Sequence, residues 1–313
     1  MNPTETDIIY MRRCLQLAAC GRMESRPNPM VGCVIVAGDK VIGEGYHVRC
    51  GEGHAEVNAF ASVSAADERL LTESTVYVSL EPCAHFGRTP PCADLIVSKR
   101  VRRVVVGCID PFAKVKVRGI QKLHDAGIEV TVGVCEKECR WLNRRFFTFH
   151  SLQRPYIILK WAQSRNGFID RDGQPVAFST PFTQMLVHKL RAEEDAIVVG
   201  RVTDEREHPQ LNVRKWAGRS PVRFVLSHDH PWEELLAECR QQQLQSVVVE
   251  GGARTLQWFL GSGLWDELRV ETAPIAIAHG TAAPAIPPTA HLFSKQLVDG
   301  NEIAVWTPAI CHF

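Results

Sequence analysis

Alternating strand and helix patterns run through most of this 313-residue chain and constrain its fold more than any other feature. Apolar, β-branched runs recur between amphipathic stretches on both sides of a polar segment at residues 150–154, which precedes Pro155. Such alternation is typical of a largely parallel sheet covered by helices. Because the length exceeds that of one ordinary domain, we predict two α/β domains, residues 1–147 and 154–313.

The individual elements follow from the spacing of apolar residues and from the turn residues between them. In the first half we predict helices at residues 7–20, 54–64, 92–99, 118–125 and 136–147, and strands at 30–36, 40–46, 75–79, 103–107 and 129–134. In the second half we predict helices at 181–192, 232–243 and 253–260, and strands at 156–161, 196–199, 222–226 and 246–250. The proline-rich stretch at 281–290 is predicted to be a loop.

Charge and cysteine usage narrow the class of protein. The 36 basic and 35 acidic residues leave a net charge of +1, which argues against broad nucleic-acid or membrane-surface binding. The N-terminal MNPTETDIIY has no secretory-signal pattern, and no apolar run approaches the roughly 18 residues of a membrane span. Eleven cysteines, an odd number, favour free thiols in a cytoplasmic protein over a disulfide framework.

Two short motifs supply the ligands of a metal site. They are His-Ala-Glu at residues 54–56 and PCAHFGRTPPC at residues 82–92. A catalytic zinc ion takes three protein ligands and keeps a fourth position for water. His54, Cys83 and Cys92 fit as ligands of one zinc per chain, and Glu56 fits as the proton carrier of a zinc deaminase. The usual two residues between the cysteines are eight here.

The predicted helices assign different roles to these residues. Side chains at i and i+2 of a helix point about 200° apart, so His54 and Glu56 are not expected to bind one ion together. Cys83 and Cys92 are expected at or just before helix starts, where the helix dipole favours the thiolate. Zinc lowers the pKa of its water to about 7, and Glu56 would carry the proton to the ring nitrogen and the departing ammonia.

Two other interpretations of these motifs remain open from the residues alone. A structural zinc site could use His85 as a fourth ligand, although it leaves Glu56 without a role. A nucleic-acid deaminase could use Arg88 to contact a backbone, and the near-neutral net charge argues against that alternative.

Four segments of the first half resemble the RibD family of bacterial riboflavin biosynthesis: PNPMVGCVIV at 27–36, GEGYH at 43–47, GHAEVNA at 53–59 and EPCAHFGRTPPC at 81–92. The resemblance implies a cytidine-deaminase-like three-layer domain that deaminates 2,5-diamino-6-ribosylamino-4(3H)-pyrimidinone 5′-phosphate. It also implies that the substrate's pyrimidine is bound by Asn28 and His47, and its ribose phosphate by His85, Arg88 and Thr89. An arginine fork and a hydroxyl suit a phosphate.

The second half lacks the GxGxxG fingerprint of a Rossmann domain, and its paired glycines in VVVEGGARTL, at 247–256, are only a weak phosphate-site signal. With RPYIILKWAQS at 154–164, HKLRAEEDAIVVG at 188–200 and HPQLNVR at 208–214, this segment resembles the reductase half of the same family. The resemblance implies a dihydrofolate-reductase-like α/β domain in which NADPH reduces 5-amino-6-(5-phosphoribosylamino)uracil. It implies NADPH contacts from Ala162, Thr203, Glu207, Ser227 and Gly252, and substrate contacts from Arg191, Leu211, Arg214 and Glu250. Family members often form homo-oligomers through this domain.

Several segments depart from the family pattern. Asn166 stands where the family has Asp, and Glu207-His208-Pro209 replaces Asp-Asp-Pro. The segment between Ser227 and Trp232 is shortened, and APIAIAHGTAAP at 273–284 replaces a Gly-rich turn. In the first half, the residues after Asp110-Pro111 also differ. These departures keep open a monofunctional deaminase with a reductase-like scaffold domain.

Overall fold

The computed structural model describes residues 3–84, 90–111 and 117–309. The chain divides into two compact units, the first ending at Ser151 and the second beginning at Leu152. Each unit is an α/β domain with its own sheet, in agreement with the sequence prediction. Among the described residues, no helix combines the length and the apolar character needed to cross a membrane.

The first unit is built on a five-stranded sheet of order β2-β1-β3-β4-β5. β1 is antiparallel to β2 and β3, whereas β3, β4 and β5 are parallel. The strands are β1 (Gly32–Ala37), β2 (Lys40–Tyr46), β3 (Thr75–Leu80), β4 (Arg103–Cys108) and β5 (Glu129–Val132). The helices are α1 (Glu5–Cys20), α2 (Ala55–Ala61), α3 (Cys92–Ser98), α4 (Arg118–Asp125), α5 (Glu136–Leu142) and α6 (Arg144–Leu152), with a 3₁₀ helix at Glu68–Glu73.

Successive residues of the central strands enter two different cores. Cys33 and Ile35 of β1 pack on the face that includes residues of α2 and α3, whereas Val34 and Val36 pack on the face that includes residues of α1. This alternation is the two-residue period of a strand buried on both faces. The result is the three-layer arrangement that the family resemblance implies.

The second unit is built on a seven-stranded sheet of order β11-β12-β10-β6-β9-β7-β8, in which only the β12 pairings are antiparallel. The strands are β6 (Tyr156–Ser164), β7 (Ala196–Gly200), β8 (Val222–Leu226), β9 (Ser246–Val249), β10 (Glu267–Ala273), β11 (Ala290–Val298) and β12 (Asn301–Pro308). The helices are α7 (Pro181–Glu193), α8 (Arg201–Glu207), α9 (Trp232–Gln241) and α10 (Ala253–Gly261).

The two faces of this second sheet differ in polarity. Ile157, Leu159 and Trp161 of β6 enter the main apolar core, which also includes residues of α9 and α10. Lys160, on the opposite face, lines a cavity together with residues of α7 and with the acidic Glu271 of β10. Charged side chains therefore lie on the α7 side of the sheet.

The predicted elements are confirmed to within three residues at their ends, with one exception. The predicted helix 136–147 is two helices, because Asn143 interrupts it and α6 then runs on to Leu152. The Asn143 side chain accepts the Met30 N–H at 2.8 Å and donates to the Met30 carbonyl at 2.8 Å. That contact joins residues 113 positions apart, so no local pattern could reveal it.

Candidate active sites

Three ligand atoms converge in the first unit. His54 Nδ1 lies 3.3 Å from Cys92 Sγ and 3.6 Å from Cys83 Sγ. A tetrahedral zinc ion separates its nitrogen and sulfur ligands by about 3.5 Å, given its usual bond lengths. The three atoms all lie within 4.8 Å of one another, and no other such group occurs among the residues described. The triad therefore fits one zinc ion with a fourth position left for water.

Two helix starts and one irregular segment hold these ligands. His54 is the N-cap of α2 and Cys92 is the first residue of α3, as predicted. Cys83 does not lie at a helix start; it follows β3 in an irregular segment. The Cys92 N–H, in the first turn of α3, donates to Cys83 Sγ at 3.3 Å. The thiolate-stabilising contact at Cys83 thus comes from a helix farther along the chain.

The two thiols shift each other's pKa in opposite directions. Hydrogen bonds from the Cys92 side chain and from His54 lower the pKa of Cys83. The same bond, together with burial, raises the pKa of Cys92. Metal ligation requires both sulfurs as thiolates, so zinc binding here is coupled to proton release.

Glu56 lies in the first turn of α2, beside the ligands. Only 3% of the residue is exposed, and the side chains of Cys83 and Cys92 both influence its pKa. Burial and the negative charge of Cys83 raise the pKa of Glu56 to about 6. A carboxyl group outside the ligand set but next to it has the position expected of a proton carrier.

Asn28 and His47 contact each other next to the triad. His47 Nδ1 lies 3.1 Å from the Gly53 carbonyl, and Nε2 lies 3.1 Å from Asn28 Nδ2. A carbonyl only accepts, so Nδ1 carries the proton and Nε2 accepts from the Asn28 amide. Burial lowers the pKa of His47, which keeps this neutral tautomer. The ring also packs edge-on against His54, at 5.4 Å between centroids.

The remaining predicted deaminase residues, His85, Arg88 and Thr89, lie outside the described residues. One buried group near the site was not predicted from the sequence. Glu81, two residues before Cys83, is 4% exposed, and its carboxylate accepts backbone N–H groups from the segments around residues 110 and 117–119. Its position directly before the Pro-Cys motif is the sequence feature that could have identified it.

In the second unit, two of the predicted substrate residues form a buried ion pair. Arg191 Nε and Nη2 donate to the two carboxylate oxygens of Glu250, each at 2.8 Å. The side chains are 12% and 11% exposed. Burial alone would raise the pKa of Glu250, but the bonds from Arg191 outweigh it and lower that pKa. The C-terminal turn of α7 is thereby joined to the end of β9.

The other two predicted substrate residues lie in the adjoining loop. Leu211 is buried and has a left-handed backbone, with φ of 50°. The Arg214 N–H donates to His188 Nδ1 at 3.2 Å, and its side chain donates to Asn212 Oδ1 at 2.8 Å. His188, which is 1% exposed on α7, was not predicted. These contacts bring the loop next to the Arg191–Glu250 pair, because Arg191 Nη1 also donates to the Asn212 carbonyl at 3.4 Å.

Two predicted cofactor residues meet where α8 and α10 begin. The Gly252 N–H donates to Thr203 Oγ1 at 3.1 Å, and a Cβ at residue 252 would lie 2.9 Å from that hydroxyl. A Cβ at Gly200 would collide with Thr255 Oγ1. Glycine is therefore required for the close approach of the two first turns, beyond the carboxyl ends of β7 and β9. A cofactor phosphate fits this kind of corner.

The other three predicted cofactor residues occupy different places. Ala162 lies on β6 and packs against a small cluster that includes Phe178 and Ile277. Ser227 follows β8, where it forms a tight turn with His230 that leads directly into α9. Glu207 is exposed and pairs with its neighbour Arg206, at the last residue of α8 and one helical turn after Thr203.

Asn166 departs from the family pattern, and it forms hydrogen bonds with a second departing segment. Its amide donates to the Ile277 carbonyl at 2.8 Å, and its Oδ1 accepts the Ile277 N–H at 3.1 Å. Ile277 belongs to the altered turn at 273–284. A carboxylate at residue 166 could not donate to that carbonyl. The asparagine and the altered turn therefore fit each other.

The fold and the two sites define a zinc deaminase domain followed by a reductase domain, and comparisons with known proteins agree. Residues 4–108 match the cytidine and deoxycytidylate deaminase zinc-binding region. Residues 155–234 and 230–292 match the RibD C-terminal domain. The predicted fold classes, cytidine-deaminase-like and dihydrofolate-reductase-like, are thus confirmed.

Relatives that match most of the chain identify its family. The chain is 36% identical to the riboflavin biosynthesis protein RibD of Aquifex aeolicus, over 88% of this chain and 89% of the relative. It is 34% identical to RibD of Escherichia coli K12, over 86% and 88%. The structure of Acinetobacter baumannii RibD matches 97% of this chain and 99% of its own, with a TM-score of 0.85 and 31% identity. The chain belongs to the RibD family, whose members are bifunctional deaminase-reductases of riboflavin biosynthesis.

A further structural match comes from Thermotoga maritima. That protein is described as a diaminohydroxyphosphoribosylaminopyrimidine deaminase and 5-amino-6-(5-phosphoribosylamino)uracil reductase. It covers 96% of this chain and 98% of its own, with a TM-score of 0.88 and 28% identity.

Proposed function

We propose that this enzyme carries out two successive steps on one phosphorylated pyrimidine. The first is hydrolytic deamination of 2,5-diamino-6-ribosylamino-4(3H)-pyrimidinone 5′-phosphate at the zinc site. The second is reduction of the resulting 5-amino-6-(5-phosphoribosylamino)uracil by NADPH in the second unit. The observation that carries the proposal is the His54, Cys83 and Cys92 triad with Glu56 buried beside it. The two activities by which the Thermotoga maritima relative is described support these substrates.

In the deamination step, the chain's own residues bind, orient and move protons. Bound zinc supplies a water of lowered pKa. Glu56 takes one proton from that water and delivers it to the ring nitrogen. It then takes the second proton, from the hydroxyl added at the ring carbon, and delivers it to the amino group, which leaves as ammonia. Asn28 contacts the pyrimidine, and His47 fixes the direction of its amide. Arg88, Thr89 and His85 bind the ribose phosphate.

In the reduction step, the corner formed by Thr203 and Gly252 would hold phosphate groups of NADPH. Ala162 and Ser227, at the carboxyl ends of β6 and β8, line the same edge of the sheet, and Glu207 completes the set of cofactor residues. When bound, the nicotinamide would supply a hydride to C1 of the ribosyl group. The ring C–O bond then breaks and the ring oxygen takes up a proton, so the ribosyl group becomes an open ribityl chain. Arg191 and Arg214 bind the substrate's phosphorylated sugar, and Leu211 and Glu250 shape its site.

The alternative of a monofunctional deaminase makes a different prediction for the same reaction mixture. The chain should be incubated with the diamino substrate, with and without NADPH, and the products identified by mass spectrometry. We expect ammonia in both mixtures and the ribitylamino product only with NADPH. Deamination without NADPH oxidation would support a scaffold role for the second unit. No ammonia in either mixture would overturn the proposal.

The cysteines support a reducing compartment. All ten cysteines within the described residues are free, including the exposed Cys20 and Cys50. We therefore propose a cytoplasmic location, where Cys83 and Cys92 remain available to zinc.

A further inference from the structure

Helix α4 of the first unit begins without a capping side chain of its own. Its N-cap residue, Val117, has a left-handed backbone with φ of 64°, and its side chain makes no capping hydrogen bond. The first N–H groups of a helix need acceptors from outside the helix. The acceptor here comes from a different part of the chain.

Glu81 supplies that acceptor. Its Oε2 accepts the Val117 N–H at 3.0 Å and its Oε1 accepts the Gly119 N–H at 3.1 Å. A negative carboxylate at a helix N-terminus is also favoured by the helix dipole. Because Glu81 is 4% exposed, water does not compete well for these contacts.

The same carboxylate reaches the other end of the altered segment. Oε2 also accepts the Asp110 N–H at 3.4 Å. Glu81 therefore binds the chain both before and after the residues at 112–116, where the sequence departs from the family. The backbone of Glu81 is fixed as well, because its N–H donates to the Cys108 carbonyl at 2.9 Å at the end of β4.

The contacts of Glu81 continue into the ligand segment. A Cβ at Gly119 would collide with the Pro82 carbonyl, so the first turn of α4 packs directly on the residue between Glu81 and Cys83. Cys83 follows β3 in an irregular segment, and so it lacks the support of a helix or strand of its own. Movement of α4 would be transmitted to it through Pro82.

We propose that Glu81 is a positioning residue for the metal site: by capping α4 it fixes the Pro82-Cys83 backbone in the geometry that lets Cys83 share an ion with His54 and Cys92. The proposal rests on the zinc site of the proposed function. It assigns Glu81 neither a place among the ligands nor a contact with substrate.

The test compares Glu81→Gln with Glu73→Gln in the full-length chain. Glu73 is exposed at the end of the 3₁₀ helix, so it controls for the loss of one carboxylate. Zinc affinity is measured by competition with a chromogenic chelator, and amide hydrogen exchange is measured over residues 117–125. A glutamine has one acceptor oxygen and presents an NH₂ group to N–H donors, so it cannot replace the carboxylate.

We expect Glu81→Gln to weaken zinc binding about tenfold or more and to speed exchange in α4, with no change in Glu73→Gln. Unchanged zinc affinity, with or without faster exchange, would overturn the positioning role. Neither measurement requires substrate, so the result is independent of whether the chain deaminates the proposed pyrimidine. NADPH oxidation with the deaminated substrate should be unaffected, which shows that the second unit of the variant folds, and unchanged hydrogen exchange in α1 shows the same for the first unit.

Discussion

Asn28 and His47 illustrate how one side chain can act through another. The Gly53 carbonyl fixes the His47 tautomer, and that tautomer fixes which end of the Asn28 amide faces the ring. We predict that Asn28→Ala and His47→Ala each raise the KM for deamination. When Asn28 is already alanine, His47→Ala should change the KM by less than about twofold, because the amide that His47 orients is absent. The KM is measured by steady-state kinetics for the wild type, the two single variants and the double variant, with zinc content as a control. Independent, multiplying effects would instead indicate that His47 contacts the substrate directly.

Arg191 is predicted to contribute to both stability and substrate binding in the second unit. Arg191→Ala leaves the Glu250 carboxylate buried without its bidentate partner. Losing one partner of a buried pair typically costs about 3–5 kcal/mol. We expect a comparable loss in the free energy of unfolding of this unit, measured by urea denaturation.

The matched control for this variant is Arg201→Ala. Arg201 pairs with Glu205 on the surface, with side chains that are 57% and 60% exposed. Such pairs contribute about 0.5 kcal/mol or less. Equal losses of unfolding free energy in the two variants would show that the Arg191–Glu250 pair contributes no more to stability than an exposed pair.

One carboxylate, that of Asp7, joins helix α1 to the first sheet through hydrogen bonds. Asp7 closes a capping box with Thr4 and accepts two hydrogen bonds from Arg103 of β4, at 2.8 and 3.1 Å. Burial alone would raise the pKa of Asp7, but the bonds from Arg103 and Thr4 outweigh it and lower the pKa from 3.8 to about 2. Because the folded pKa is the lower one, this stabilisation is fully present above pH 3.8 and is lost as pH falls towards 2.

We predict that Asp7→Asn destabilises the first unit by about 2 kcal/mol at pH 6. The difference between the variant and the wild type should shrink as the pH is lowered from 6 to 2.5, since wild-type Asp7 becomes protonated. Urea denaturation at a series of pH values measures it. A difference that does not vary with pH would mean that the charge of Asp7 plays no part.

The turn that follows β6 gives a prediction about the reductase. Asn166→Asp replaces the donor to the Ile277 carbonyl by a carboxylate, and Ile277 packs near Ala162. We expect a rise in the KM for NADPH of a few fold, with deaminase activity unchanged. Gln174→Glu, an exposed position in the same segment, makes the same change of charge and should have no effect. Normal NADPH kinetics in Asn166→Asp would show that the family's Asp is equally compatible with this turn.

The helices and strands with a clear period could be predicted from the sequence, as could the zinc ligands. The helix starts at Ala55 and Cys92 follow from local patterning. Strands β10, β11 and β12 and helix α8 were not predicted. β11 lies at the sheet edge, has mostly exposed side chains and shows no apolar alternation. Long-range contacts such as those of Asn143 and Glu81 also lay beyond prediction, since they depend on residues brought together only by the fold.

The two units divide the chemistry between them, each with a complete α/β core. A change confined to one site should therefore leave the other reaction intact. This follows from the placement of Glu56 and the triad in the first unit and of the Arg191–Glu250 pair in the second. The reaction of the unaltered unit then shows, for each variant described above, that the rest of the chain is intact.

The most direct test of the two-site account is Glu56→Gln, given the two pyrimidine substrates separately. With the diamino substrate we expect ammonia release to fall at least about a hundredfold, while zinc stays bound at one ion per chain. With the deaminated substrate and NADPH, we expect reduction at the wild-type rate. Continued ammonia release by Glu56→Gln, or no NADPH oxidation by either chain, would contradict the account.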